Sequence, residues 1–522
     1  MKKLLSLALA LIMVLSLAAC GGKQEETPAG NGDAPAASTP AGTPSDTLMV
    51  VSSFDPGTFQ PGASDEQSYN RIMRQIYEPL FFLNQEGEVE PWLATGLEWV
   101  DDVTAKISLR DDVKFSDGSP FTSADVIFTI EKAIEDALPI AVYSRIVNME
   151  APDEHTVLLT LNAPLGGLSA FLAHPMTAMG SKAAYEASGG DYLGGAVVGT
   201  GPYVLKDYIA GDKIVYGPNE NYWRENEPKT PNVDYRIISS DTTRATEAMS
   251  LSTDIVINPN VRELPNIDNT KGLHSIQDLS ANTTYMLYNT AHPMMSDVRV
   301  REAFSRAVNI PMTVKLVYGD FGEAASGMIC PGILGYNPDT YAKYYAQDIA
   351  KAKQLLAEAG YPNGIELEVA VESVDTARCE MAEAMQAQCA EAGITLKVNK
   401  MESTLMREYM QNGQHMMGMY GWTCSTKEAD GMLQQIQPGT AGIKRVNYDN
   451  QEFFDTFTAG CAIQDREERG KVWEECLEML AEDYVLMPIW HKALAAAVKD
   501  NVDGFYLTTD YEEHYLQWAV AN

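Results

Sequence analysis

The chain has 522 residues, too many for one compact core, so two or three domains are expected. Lys and Arg number 38 against 72 Asp and Glu, a formal charge of −34, which argues against nucleic acid or an anionic lipid surface as the main partner. The acidic residues are spread along the chain and not gathered in a tail, the pattern of a solubilising surface.

The N-terminus carries a targeting signal. Lys2 and Lys3 precede an apolar run, Leu4 to Leu17, that is shorter than the roughly 20 residues needed to span a bilayer. It ends in Leu17-Ala18-Ala19-Cys20, which matches the bacterial lipobox. The match implies a signal peptide over 1–19, cleavage before Cys20 and diacylglycerol on its sulfur. Residues 20–46 lack large apolar side chains, cannot bury surface to offset chain entropy, and read as a disordered tether.

The folded part begins at Thr47. Leu48 to Val51 is a short apolar strand, and Tyr69 to Tyr77 suits a helix with Ile72, Met73 and Ile76 inward. A hairpin signal falls at Asn84 to Gly87, followed by a Pro91-Trp92 corner. Ala105 to Leu109 alternates as a strand, and Thr122 or Ser123 caps a helix with Asp125 in its first turn. After the strand Val157 to Leu161, Gly199-Thr200-Gly201-Pro202 makes a sharp corner. It opens a hairpin: Tyr203 and Leu205 on one strand, Ile214 and Tyr216 on the next, with Gly211-Asp212 between.

A further block starts with the strand Tyr285 to Asn289. Asp348 to Ala359 places Ile349, Ala352, Leu355, Leu356 and Ala359 on one helical face, closed by Gly360. Gly364 to Val369 and Ile394 to Val398 alternate as strands on either side of a helix over Ala377 to Ala392, a βαβ unit. Arg466 to Glu482 reads as a helix and Val485 to Trp490 as a strand, with Asn501 to Trp518 returning to the first domain.

The string GTGPYVLKDYIAGDKIVYGPNENYWRENEPKTPNVDYRII closely resembles the peptide- and nickel-binding family (family 5) of ABC-transporter substrate-binding proteins. The upstream motifs E-P-L, P-W-L-A, L-R-D-D-V-K-F-S-D-G and A-D-V follow in the family's order. In the segment Met249 to Asp254 the family's usual glycine is absent while the aspartate remains, so an altered turn before the next strand is expected. The resemblance implies an α/β, periplasmic-binding-protein-like fold (class II, cluster C). Two lobes would enclose a ligand cleft, with an extra inserted domain. The expected divisions are a discontinuous domain I (47–78, 200–281 and 490–522), an inserted domain II (79–199) and domain III (282–489).

Catalytic signatures are missing: there is no G-x-S-x-G, Walker A, H-E-x-x-H or C-x-x-C. Histidines 155, 174, 274, 292, 415, 491 and 514 share no evident helical face. Cys379 and Cys389 sit about 15 Å apart along one helix and cannot pair. Cys461 and Cys476 could approach, which the sequence leaves open. No cofactor and no resident metal are expected.

Recognition residues follow from the resemblance. The strand ending Tyr420-Gly421-Trp422 resembles the one whose Gly-Trp end lies at the cleft, with Trp422 expected to stack on the ligand. The segment from Thr423 through Cys424 and Ser425 to Leu433 aligns with an aspartate-rich loop that holds the ligand's amino end in dipeptide binders. Ser425 replaces the first of those aspartates, while Glu428 and Asp430 stay acidic, so Asp430, with Glu428 in reserve, is expected to hold the amine. Arg378, in the first turn of its helix, is the expected partner of the ligand carboxylate; the alternative is that it pairs with Glu380 or solvent.

The implied function is capture of oligopeptides or similar small solutes by a lipid-anchored monomer that serves an ABC permease and its ATPases. A nickel- or metal-chelate binder of the same family, resting on His415, Met416 and Met417, is the alternative. An enzyme or cell-wall-binding protein on the same fold is a third possibility, disfavoured by the missing catalytic groups.

Overall fold

The computed structural model describes residues 45–522 except 65, 85–86, 139 and 508–515. The signal peptide, Cys20 and nearly all of the tether lie outside the described residues. Among the described residues no helix is long and apolar enough to cross a membrane.

One 11-stranded sheet runs through the molecule. Across it the strands are ordered Ile394–Met401, Ile365–Glu372, Met417–Thr423, Leu273–Tyr288, Leu486–Lys499, Ile255–Ile257, Thr47–Ser52, Asn232–Ile237, Lys213–Pro218 and Tyr203–Ile209, with Glu323–Ala324 added beside Leu486–Lys499. The βαβ unit is present: Ile365–Glu372 pairs in parallel with Ile394–Met401 across the helix Thr376–Glu391. The hairpin after the Gly-Pro corner is present too, pairing Tyr203 with Pro218 and Ile209 with Lys213.

The strand expected to end at Trp490 runs on to Lys499, and the one expected from Tyr285 already starts at Leu273. These two long strands pair antiparallel from Leu273–Lys499 to Leu287–Leu486, with irregularities between Leu279 and Thr283 and between Thr284 and Tyr285. One end of the pair enters a core built around Tyr285, Phe304, Leu367 and Met419; the other enters cores with Leu48, Tyr203 and Ile255 and with Val51, Val256 and Leu264. A separate four-stranded antiparallel sheet, ordered Ala94–Trp99, Thr104–Leu109, Thr156–Leu161 and Ile146–Asp153, carries its own core with Phe115, Ile130 and Leu159. The helix Ser123–Glu135 opens with a reciprocal cap between Thr122 and Asp125.

The Gly-Thr-Gly-Pro corner is held by close backbone approach. A Cβ on Gly199 would meet the Ile76 carbonyl oxygen at 2.0 Å, so only glycine fits there without displacement. Gly201 N donates to Ile76 O at 2.8 Å and Tyr203 N to Gln75 O at 3.0 Å, which docks the corner on the end of the helix Gln67–Met73 and the turn after it. Beside it, buried Glu78 accepts from Trp92 Nε1 (2.8 Å), Thr200 Oγ1 (2.8 Å), Tyr222 Oη (2.9 Å) and Trp223 Nε1 (3.0 Å). Burial raises its pKa and these donors oppose the rise.

The segment lacking glycine also resolves. Leu251 takes the left-handed conformation, φ +58°, after the helix Asp241–Met249, a position where glycine is unstrained and leucine is not. Asp254 then ties the strand in, accepting from Met49 N (2.8 Å) and Lys499 Nζ (3.0 Å).

Candidate functional site

The strand Met417–Thr423 sits between Leu273–Tyr288 and Ile365–Glu372, but its pairing with the latter stops at Gly418. The backbone of Tyr420 to Thr423 therefore lies beyond that neighbour's ladder, against an open space. A cavity of about 310 Å³ lies there, lined by Gln67, His174 and Met176 on one side and by Tyr420, Gly421, Trp422, Thr423, Ser425, Gln435 and Arg445 on the other. Its walls thus come from sequence regions more than 200 residues apart (67 and 420, for instance).

The cavity unites Trp422, Tyr420 and Ser425 of the expected residues. Trp422 is 6 % exposed, packs against Tyr285 at 5.8 Å between ring centres, and leaves its Nε1 without a partner. Arg378 stands one layer behind: its Nη2 lies 3.0 Å from where a Cβ on Gly421 would be. Its charge is compensated. Nε lies 3.2 Å from Asp375 Oδ2, off the line of a hydrogen bond, and Nη1 lies 3.9 Å from Glu372. Glu380 instead pairs with Arg262, at 3.0 Å.

Cys424, Glu428 and Asp430 are not on the cavity wall, contrary to expectation. Cys424 is 1 % exposed, and burial pushes its thiol pKa well up. Glu428 is 1 % exposed and accepts from Arg469 Nε (2.7 Å) and Nη2 (2.6 Å) and from Trp473 Nε1 (3.1 Å), with Arg466 at 3.6 Å. Asp430 is 4 % exposed and accepts from Thr426 Oγ1; burial, followed by the Glu428 charge, raises its pKa. Glu428 already accepts three hydrogen bonds in the interior, and neither it nor Asp430 lines the cavity where a ligand's ammonium would lie. His415, on which the metal alternative leaned, is also interior: Nε2 faces Arg445 O at 2.7 Å and the side chain is fully buried. Among the described residues no group of three or more His, Cys, Asp or Glu is arranged to hold a metal.

Arg445 is the residue that sequence reasoning missed. It lies in the one-turn helix Ile443–Val446 and is 7 % exposed, with its guanidinium 4.1 Å from the Tyr420 ring centre. Its Nε has no hydrogen-bond partner, and no carboxylate figures among the charges that act on it. Burial pulls its pKa down, yet arginine stays charged in proteins. On the facing wall the Nε2 of Gln67 is another buried donor without a partner. His174 is held neutral, its pKa lowered to about 3 by burial and by the Arg74 charge. Its Nδ1 accepts from Met176 N at 2.9 Å, which puts the ring proton on Nε2. The cavity is therefore rich in donors around one buried cation.

The model of the bacterial extracellular solute-binding proteins, family 5 (middle region), matches residues 88–443. The chain belongs to this family. This solute-binding protein is 27% identical over 480 residues to the glutathione-binding protein GsiB of Escherichia coli K12, covering 89% of this chain and 92% of that one. Among solved structures, AgaA of A. tumefaciens R10, in complex with agropinic acid, is 26% identical with a TM-score of 0.76, covering 91% and 99% of the two chains. HbpA2 of Haemophilus parasuis shares the fold at a TM-score of 0.82 and 24% identity, covering 91% and 100%. As a member of an extracellular solute-binding family it works outside the cytoplasm.

If Glu428 serves Arg469 and not the ligand, Glu428→Gln should lower stability by about 3–5 kcal/mol, because it strands a buried cation. Ligand affinity of the folded variant should stay within about threefold of the parent. Urea unfolding and calorimetry check both; a large affinity loss with unchanged stability would return Glu428 to the site.

Proposed function

We propose that this protein captures a small, carboxylate-bearing solute of the peptide class in the cavity between its lobes and hands it to an ABC permease driven by ATPase subunits. Binding and release, with no chemistry on the solute, make up its cycle. The observation that carries this reading is Arg445: a buried guanidinium with no carboxylate of its own. A buried charge without a counter-charge is costly, and a ligand carboxylate supplies the missing partner along with hydrogen bonds. Trp422 Nε1 and Gln67 Nε2 add donors around the same cavity. Arg378, already neutralised by Asp375 and Glu372, has a supporting part behind Gly421. The cavity of about 310 Å³ is roughly ten water volumes at ~30 Å³ each, room for a small solute.

The family and its relatives agree with this class: GsiB is named for glutathione, and AgaA was crystallised with an acid. The two long spanning strands are the natural hinge for lobes that close on cargo. We also assign Cys20 as the lipid attachment point of a monomer tethered to the outer face of the membrane, from the lipobox at 17–20.

A screen of glutathione and free di- and tripeptides by thermal shift should find a stabilising ligand. For that ligand Arg445→Ala should weaken binding by about 2–4 kcal/mol in calorimetry. Undiminished affinity would remove Arg445 from the site. Separately, Cys20→Ala should move the protein from the membrane fraction into the medium, and retention of that variant would contradict the anchor.

A further inference from the structure

A free peptide carries an ammonium as well as a carboxylate, and the cavity treats the two ends differently. Among the described residues, none that lines it bears a carboxylate. Glu428 pairs with Arg469, and Asp375 and Glu372 with Arg378; Asp430 accepts from Thr426, and Glu78 from Trp92, Thr200, Tyr222 and Trp223. Positive charge is found on both walls instead. Arg445 lines one side, and the charge of Arg74 acts on His174 on the other. In a chain with a net charge of −34 this local reversal of sign is a property of the cleft and not of the surface at large.

A ligand ammonium placed here would lose water, gain no counter-charge and face cations. We infer that the cleft takes a small organic acid whose amino end is uncharged, acylated or condensed into an amide or lactam, in preference to a free zwitterionic peptide. The inference rests on the carboxylate site at Arg445 and specifies what lies at the ligand's other end. The available acceptors, Gln67 and Gln435 amide oxygens and the Thr423 and Ser425 hydroxyls, suit neutral N–H groups and hydroxyls. They orient a ligand without demanding a positive charge on it.

The test uses the full mature chain and matched sets of the same di- and tripeptides: free, N-acetylated, and C-amidated, measured by calorimetry. N-acetylation should tighten binding by about threefold or more, because it removes the unpaired ammonium. C-amidation should weaken it by about 30-fold or more, because it removes the partner of Arg445. Equal or weaker binding of the acetylated form overturns the inference while the carboxylate site stands. If no member of the set binds, or amidation has no effect, the peptide-class carboxylate reading fails first and the inference falls with it. A gain-of-function variant guards against a misleading loss. Ser425→Asp puts a carboxylate on the wall and should reverse the preference, so that the free form binds tighter than the acetylated one. An unchanged preference in that variant would show that Ser425 does not face the ligand's amino end and would overturn the inference.

Discussion

The antiparallel pairing of Leu273–Tyr288 with Leu486–Lys499 is the constraint on which the rest of the molecule hangs. It is a single ladder shared by cores that otherwise have separate memberships. Strands on one side of it belong to the βαβ half, and strands on the other to the half containing Thr47–Ser52 and the Gly-Pro hairpin. The backbone hydrogen bonds of the ladder fix the register of one half against the other. The register irregularities at Leu279/Thr283 and Thr284/Tyr285 locally relax that ladder and add twist where it crosses from one half to the other. A cleft between the halves follows from this geometry, and Trp422 reaches it because its strand is the ladder's next neighbour.

Electrostatics then divides the polar groups around the cleft into two kinds. Behind the wall, charges are paired: Glu428 with Arg469, Arg378 with Asp375 and Glu372. These pairs hold segments in place, and losing one member of the buried Glu428 pair costs far more than its net contribution. On the wall, groups are left wanting partners, and those groups are donors: Arg445 Nε, Trp422 Nε1 and Gln67 Nε2. These three open donors border one cavity, where an acceptor from outside can meet them together. The stacking of Arg445 on Tyr420 holds the guanidinium in one orientation before ligand arrives, which reduces the ordering cost of binding.

Local patterns in the chain carried much of this. The helix Ile349–Glu358 and the βαβ unit at 365–401 announce themselves by period, and the Gly199 corner by residue type, because their causes lie within a few residues. The long strand Leu273–Tyr288 does not. Its first half reads His274-Ser275-Ile276-Gln277-Asp278, polar and partly exposed, and only pairing with residues some 200 positions away makes it a strand. The same distance hid the site. Glu428 looked like an available acid because Arg469 lies 41 residues further on. Arg445 went unnoticed, since nothing in Ile443-Lys444-Arg445-Val446 reveals that it folds back over Tyr420. The one hint in the sequence was that no acid stands within three residues of it on either side. Leu251 shows the converse: the missing glycine was legible, but not that the leucine in its place takes a left-handed conformation.

The most direct measurement is a crystal structure of the protein with an N-acetylated dipeptide carrying a free C-terminus. The account predicts the carboxylate at about 3 Å from the Arg445 guanidinium, with Trp422 Nε1 or Gln67 Nε2 as a further donor. A ligand whose carboxylate lies on Arg378 while Arg445 stays turned against Tyr420 alone would contradict it.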